Sequence, residues 1–203
     1  MNLIENTIPL FSTPLYFVEN EGDTFKFNEL QLNFLKQCEY VHMENNCATK
    51  YNQLLNLPVF SDLKKFVENH IQCYTKKFID GEYYFDICSS WATKTQTGQS
   101  HNFHKHLTSV ISGIVNVTPN NTTIFSRESQ GPFPFFSFEY KNSSLSFAEK
   151  VSIVQKNSGC ILLFPSNVFH AVAPHTLEED RYAISFNVFA RGNFYNHPEQ
   201  TIV

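Results

Sequence analysis

Hydrophobic periodicity divides the chain into a helical part followed by a strand-rich part. Between residues 58 and 79, apolar side chains recur every three or four positions, which predicts an amphipathic helix. Pro58 suits the first turn of this helix and Gly81 suits its end. A weaker repeat of the same period over residues 25–41 predicts a second helix. From residue 82 onward the period shortens to two, which is typical of strands.

The strand-rich part is predicted to consist of short strands separated by turns. Its alternating or continuously apolar runs lie at residues 83–94, 108–118, 122–126, 151–154, 160–164 and 181–190. An extended segment with two prolines, residues 8–18, predicts an edge or irregular strand ahead of the helices. Helices followed by many short strands favour a mainly β fold, with two sheets and the helices packed outside.

The chain is predicted to form a single domain over residues 1–203, since it has no internal repeat, low-complexity segment or linker. The helical N-terminal part would occupy about residues 22–80 and the β core about residues 82–191. The hydrophobic content of 42%, with 21 phenylalanines, is that of a globular protein with thick aromatic packing.

Composition and charge argue against several classes of partner. The net charge of -4 provides no basic field for nucleic acid. No apolar run approaches the length of a membrane span, and the N-terminus lacks the pattern of a signal peptide. The five cysteines are scattered and include no Cys-x-x-Cys pair, which favours a reducing compartment such as the cytoplasm.

The most specific polar pattern is His104-Lys105-His106, which is answered far downstream by His170. Residues i and i+2 of a strand point to the same face, so His104 and His106 can offer two imidazoles to one metal ion. A third imidazole from His170 would close one face of the coordination sphere and leave the other open. The sequence therefore predicts a metal site formed by these three histidines.

Two other histidines compete for a place in this site. His101 lies three residues before His104, which puts it on the opposite face of a regular strand. His175 follows Pro174 and precedes an acidic run at residues 178–180, a context typical of a surface histidine. Neither is predicted to be a ligand.

Arg181 opens the last predicted strand and shares one face of it with Ala183, Ser185 and Asn187. A polar strand face that begins with arginine favours a ligand-binding surface over a hydrophobic core, because the planar guanidinium can form paired hydrogen bonds with a carboxylate. The alternative interpretation is a surface salt bridge from Arg181 to the acidic run at residues 178–180.

Two sequence signatures resemble a known family. The first spans residues 104–113, where His-x-His is followed by Ser-Gly; the second spans residues 159–166, His170 and residues 181–187. Together with the opening at residues 10–15, they resemble 2-oxoglutarate/Fe(II)-dependent dioxygenases of marine bacteria and their phages. The resemblance covers nearly the whole chain.

The resemblance implies a double-stranded β-helix (jelly-roll, cupin-like) and an Fe(II)- and 2-oxoglutarate-dependent dioxygenase. Such an enzyme would hydroxylate an unidentified small-molecule or peptidyl substrate, in the host cytoplasm if the chain is phage-encoded. His104, His106 and His170 would hold iron and act as the catalytic centre. 2-Oxoglutarate would chelate the iron. The residues expected along the 2-oxoglutarate site are Arg181, Ser185 and Asn187.

The chain departs from the family pattern at three places. His106 occupies the position of the usual metal-binding carboxylate, which leaves an all-histidine site. Ala183 replaces a serine and removes a hydroxyl from the 2-oxoglutarate pocket, and Val115-Asn116 replace two tyrosines.

Two alternative functions stay open at this point. One is a cupin-like metal-dependent enzyme that does not use 2-oxoglutarate, and the other is a non-catalytic jelly-roll binding module. An aromatic, proline-containing loop at residues 131–136 either lines the pocket or packs on the core.

Overall fold

The computed structural model describes residues 12–80, 83–127 and 150–192. Residues 8–11 of the predicted first strand, the helix stop at Gly81 and the loop at 131–136 therefore lie outside the described residues. Among the helices of the described part, none is long and apolar enough to cross a membrane.

Both predicted helices form, and each is shorter than its hydrophobic pattern. Helix α1 spans Glu29–Gln37 and begins with a capping box, in which Asn28 Oδ1 accepts from the Gln31 backbone N–H at 3.0 Å and Gln31 Oε1 accepts from the Asn28 N–H at 3.1 Å. Helix α2 spans Ser61–Phe78 and follows a 3-10 turn at Pro58–Phe60. Its buried face packs onto the larger sheet.

The described residues form two sheets in which all neighbouring strands are antiparallel. In chain order the strands are β1 (Tyr16–Val18), β2 (Tyr40–His42), β3 (Cys47–Thr49), β4 (Tyr83–Thr95), β5 (His101–His104), β6 (Ile111–Asn116), β7 (Asn121–Ser126), β8 (Lys150–Gln155), β9 (Ile161–Pro165), β10 (Phe169–Val172) and β11 (Arg181–Gly192). The larger sheet has the order β1-β9-β6-β11-β4-β3-β2 and the smaller one β5-β10-β7-β8. The predicted mainly β fold with flanking helices is confirmed.

Strand β11 shows how the alternating pattern separates two packing environments. Tyr182, Ile184 and Phe186 belong to the core that the larger sheet shares with the helices. Ala183 belongs to a second cluster between the sheets, and Arg181 lines a pocket there. The predicted polar face of the last strand therefore points into the space between the sheets.

Gly113 of the Ser-Gly motif allows the larger sheet to pack closely. A Cβ atom at this position would lie 2.7 Å from Leu163 Cδ2 and closer still to the Phe186 ring. Both neighbours are fully buried, so neither can move aside easily.

We expect Gly113→Ala to lower the free energy of unfolding by about 1–3 kcal/mol, because it overpacks a filled core. Chemical denaturation of the two proteins measures the difference. Gly22→Ala is the matched control, because a Cβ there would meet nothing within 4 Å. An equal, small effect of both substitutions would contradict the packing argument.

Candidate metal centre and adjoining pocket

The structure brings the three predicted histidines together at one end of the space between the sheets. His104 ends β5 and pairs directly with His170 of the neighbouring strand β10. His106 follows two residues later, and its backbone N–H donates to the Ser166 carbonyl at 2.9 Å. One ring nitrogen from each histidine lies within 4.8 Å of the other two.

The route by which His106 reaches this cluster differs from the predicted one. Strand β5 ends at His104, so His104 and His106 are not two positions of one regular strand. The bond to Ser166 fixes the turn after β5 instead, and the ring centroids of His104 and His106 lie 4.9 Å apart. The loop therefore achieves the convergence that was expected from strand alternation.

Backbone carbonyls fix the tautomers of two of these histidines. His104 Nδ1 lies 2.8 Å from the Asn102 carbonyl, and His170 Nδ1 lies 2.9 Å from the Val168 carbonyl. Because a carbonyl oxygen can only accept, each Nδ1 carries the hydrogen. Nε2 of each ring is then left with a free lone pair, which is the arrangement of a metal-binding histidine.

The cluster is poorly suited to hold protons. Burial lowers the pKa of His170 to about 3 and that of His106 to about 4, and the neighbouring imidazoles disfavour a further positive charge. Both rings are therefore neutral near pH 7, as metal ligation requires. No carboxylate of the described residues joins the cluster.

A set of converging imidazole nitrogens fits a first-row divalent metal such as Fe(II). Phe164 packs against His170 with ring centroids 4.6 Å apart, and Trp91 lies 5.8 Å from His106. The rings of His106 and His170 are thus packed against aromatic side chains and against each other.

The prediction that His101 lies on the opposite face of the strand was wrong. His101 pairs with Val172 while His104 pairs with His170. The chain therefore advances three residues along β5 between these pairs but only two along β10. This bulge cancels the alternation and turns both side chains to one side. The two rings stack with centroids 4.2 Å apart and an interplanar angle of 16°, and both line the same pocket.

The interpretation of His175 as a surface histidine was also wrong. Only 7% of the residue is exposed, and its Nε2 lies 2.6 Å from the Glu179 carbonyl. Its backbone N–H donates to the Gln99 carbonyl at 2.8 Å, and its own carbonyl accepts from the Gly98 N–H at 2.7 Å. His175 therefore ties the loop before β11 to the loop before β5, away from the metal cluster.

Arg181 lies inside the same pocket as the histidines and is 5% exposed. Its Nη1 donates to the Ala173 carbonyl at 3.1 Å, and Asp180 pairs with Lys94 at 2.8 Å. Arg181 forms no ion pair with the described acidic run at residues 178–180, so the alternative of a surface salt bridge is wrong. Burial lowers the pKa of Arg181 to about 10, which leaves it a cation near pH 7. A buried cation without a carboxylate partner among the described residues fits an anionic ligand.

Comparison with known proteins gives a family match that covers this arrangement. Residues 89–187, which contain the three histidines and Arg181, match the family described as "Putative 2OG-Fe(II) oxygenase". Fe(II) and 2-oxoglutarate are the cofactors of this oxygenase, and the donor set described above fits the metal. No curated protein matches the sequence.

Solved structures show the same fold. HygX from Streptomyces hygroscopicus, with nickel, 2-oxoglutarate and hygromycin B bound, has a TM-score of 0.59 at 14% identity, covering 87% of this chain and 83% of its own. The non-heme alpha ketoglutarate dependent epimerase SnoN has a TM-score of 0.62 at 10% identity, covering 88% and 78%. A prolyl hydroxylase from Trichoplax adhaerens, in complex with a peptide fragment, has a TM-score of 0.55 at 13% identity, covering 86% and 83%. The oxygenase thus has the predicted double-stranded β-helix fold.

The two remaining predicted site residues take different places in the oxygenase. Ser185 lines the pocket. Asn187 Oδ1 accepts from Ser112 Oγ at 2.9 Å, and Ser112 in turn contacts Ser166 Oγ at 2.9 Å. Asn187 therefore supports the turn that carries His106, and a contact from Asn187 to 2-oxoglutarate stays a prediction.

Proposed function

We propose that the protein is an Fe(II)- and 2-oxoglutarate-dependent dioxygenase that hydroxylates a small-molecule or peptidyl substrate. The observation that carries this proposal is the pocket that holds both the histidine cluster and the buried Arg181. The family match alone would not support the activity, because one fold can host many functions and the function depends on the residues of the site.

In this proposal His104, His106 and His170 hold Fe(II), and Arg181 holds the distal carboxylate of 2-oxoglutarate. When bound, Fe(II) and 2-oxoglutarate supply the oxidising chemistry, in which O2 is consumed and 2-oxoglutarate is converted to succinate and CO2. The guanidinium offers a planar pair of donors that orients a carboxylate. Ser185 stands on the same wall and offers a hydroxyl.

The chain also limits the access of water to the reacting end of the pocket. Phe164 and Phe125 pack around His170, with ring centroids 4.6 and 6.2 Å from its imidazole. Trp91 lines the pocket beside His106. A site with these apolar walls strengthens the electrostatic contacts made inside it.

The class of substrate and the setting are further parts of the proposal. HygX binds hygromycin B and the Trichoplax prolyl hydroxylase binds a peptide, which supports a small-molecule or peptidyl substrate. Five free cysteines support a reducing, cytoplasmic setting. The paired signatures support an origin in a marine bacterium or phage, and the absence of a linker supports a single domain over residues 1–203.

Succinate formation from 2-oxoglutarate tests the proposal. We expect the purified protein to form succinate with Fe(II) and O2, and to form none when Fe(II) is omitted or chelated. Metal binding without succinate would favour the cupin-like enzyme that does not use 2-oxoglutarate. Failure to bind metal would favour the non-catalytic binding module.

We expect Arg181→Lys to weaken 2-oxoglutarate binding about 10- to 100-fold and to leave Fe(II) affinity within about threefold of wild type. Lysine keeps the charge but loses the planar fork, and a charge-assisted hydrogen bond contributes about 1.5–3 kcal/mol. Anaerobic titrations with each ligand measure the two affinities. Equal weakening of both would place Arg181 in the metal site or in the fold and not at the carboxylate.

A further inference from the structure

His101 lies between the two ends of the pocket. It pairs with Val172, and the next residue of that segment, Ala173, has the carbonyl that accepts from Arg181 Nη1. On the other side its ring stacks on His104 at 4.2 Å. The strand partner of His101 is therefore adjacent in sequence to the residue that accepts from Arg181. The ring of His101 also contacts the histidine cluster through His104.

The polar atoms of His101 are unused within the protein. Neither ring nitrogen has a hydrogen-bond partner among the described residues, whereas the other pocket histidines with fixed tautomers use Nδ1 on a backbone carbonyl. The residue lines the pocket together with Arg181 and Ala183. Ala183 of β11 offers only a methyl group to this pocket, whereas His101 offers an N–H group.

We propose that the imidazole of His101 donates a hydrogen bond to the distal carboxylate of 2-oxoglutarate and so shares that carboxylate with Arg181. The inference rests on the proposed function, because it assumes that 2-oxoglutarate lies between the histidine cluster and Arg181. Both the neutral and the charged imidazole carry an N–H, so the contact does not require a particular protonation state. The β5 bulge is the feature that places His101 in position to make it.

Replacing His101 with phenylalanine tests the contact. Phenylalanine keeps a flat ring that can stack on His104 but has no N–H group. The protein is loaded with Ni(II), a redox-inert metal, and 2-oxoglutarate is titrated without turnover. Trp91 is the single tryptophan of the chain and lines the pocket, so its fluorescence reports binding directly. We expect His101→Phe to weaken 2-oxoglutarate binding about 10- to 100-fold.

Two further titrations separate this role from support of the metal site. Ni(II) affinity is expected to stay within about threefold of wild type, since the stacked ring is kept. Binding of 2-oxopentanoate, which has a methyl group in place of the distal carboxylate, is expected to be equally weak in both proteins. His42→Phe is the matched control, because His42 is exposed on β2 and does not line the pocket.

Each other outcome overturns the inference. Unchanged 2-oxoglutarate affinity would mean that His101 makes no contact with it. A loss of Ni(II) affinity, or equal weakening of 2-oxoglutarate and 2-oxopentanoate, would mean that His101 acts through His104. If wild-type protein binds Ni(II) but not 2-oxoglutarate, the proposed function fails and this inference fails with it. If wild-type protein binds 2-oxoglutarate and His101→Phe binds it equally well, only this inference fails.

Discussion

Fe(II) binding is expected to fall at least 100-fold when either His104 or His170 is replaced with alanine. Each substitution removes one of the three converging histidines that are proposed to hold the metal, and loss of a supporting contact behind a ligand alone already costs about 10- to 100-fold in metal affinity. Anaerobic Fe(II) titration measures the affinity, and circular dichroism checks that each variant is folded. His42→Ala is the control, because it removes an exposed histidine that is not in the cluster.

The two variants are expected to differ in stability. His170 is 2% exposed and packs against Phe164, so its ring is part of the core packing. Alanine there leaves a cavity and lowers the free energy of unfolding by about 2–4 kcal/mol. His104 is only partly buried, so His104→Ala is the cleaner test of ligation. Wild-type Fe(II) affinity in folded His104→Ala would contradict the proposed metal site.

Strand periodicity predicted most of the β core because each face of these strands packs in a distinct environment, which fixes the type of side chain at alternate positions. On β11 the apolar residues pack under the helices and Arg181 faces the pocket, so a period of two identifies both faces. Strands β6 and β9 are buried on both sides and appear as continuous apolar runs. The hairpin of β2 and β3 was missed because its three-residue strands are too short to show a period.

The histidine environment was harder to predict because it depends on partners that are distant in sequence. The bulge that turns His101 into the pocket exists only through the pairing of β5 with β10, about 70 residues downstream. His175 has exposed, acidic neighbours in sequence, but contacts with the loop at residues 96–100 bury it. A signal for His101 was present in the chain nonetheless, since a third histidine beside a His-x-His pair is a candidate for the same site.

The substitution of His106 for a carboxylate is expected to make iron binding depend strongly on 2-oxoglutarate. The cluster contains no carboxylate among the described residues, so its side chains carry no negative charge near pH 7. Burial lowers the pKa of His106 to about 4, so this ring carries no positive charge either. 2-Oxoglutarate is a dianion and supplies the missing charge when both ligands are present. Two unit charges at about 4 Å interact by about 4 kcal/mol at an effective dielectric constant of about 20.

We therefore expect 2-oxoglutarate to tighten Fe(II) binding in the wild type, and by reciprocity Fe(II) to tighten 2-oxoglutarate binding by the same factor. His106→Asp brings a negative charge to the metal, so it should strengthen Fe(II) binding alone and reduce the coupling on the order of tenfold. His106→Asn is the matched control, since it has nearly the shape of aspartate without its charge. Fe(II) affinity is measured anaerobically with and without 2-oxoglutarate in all three proteins. Equal coupling in the wild type and His106→Asp would show that His106 does not ligate the metal or that charge does not control the site.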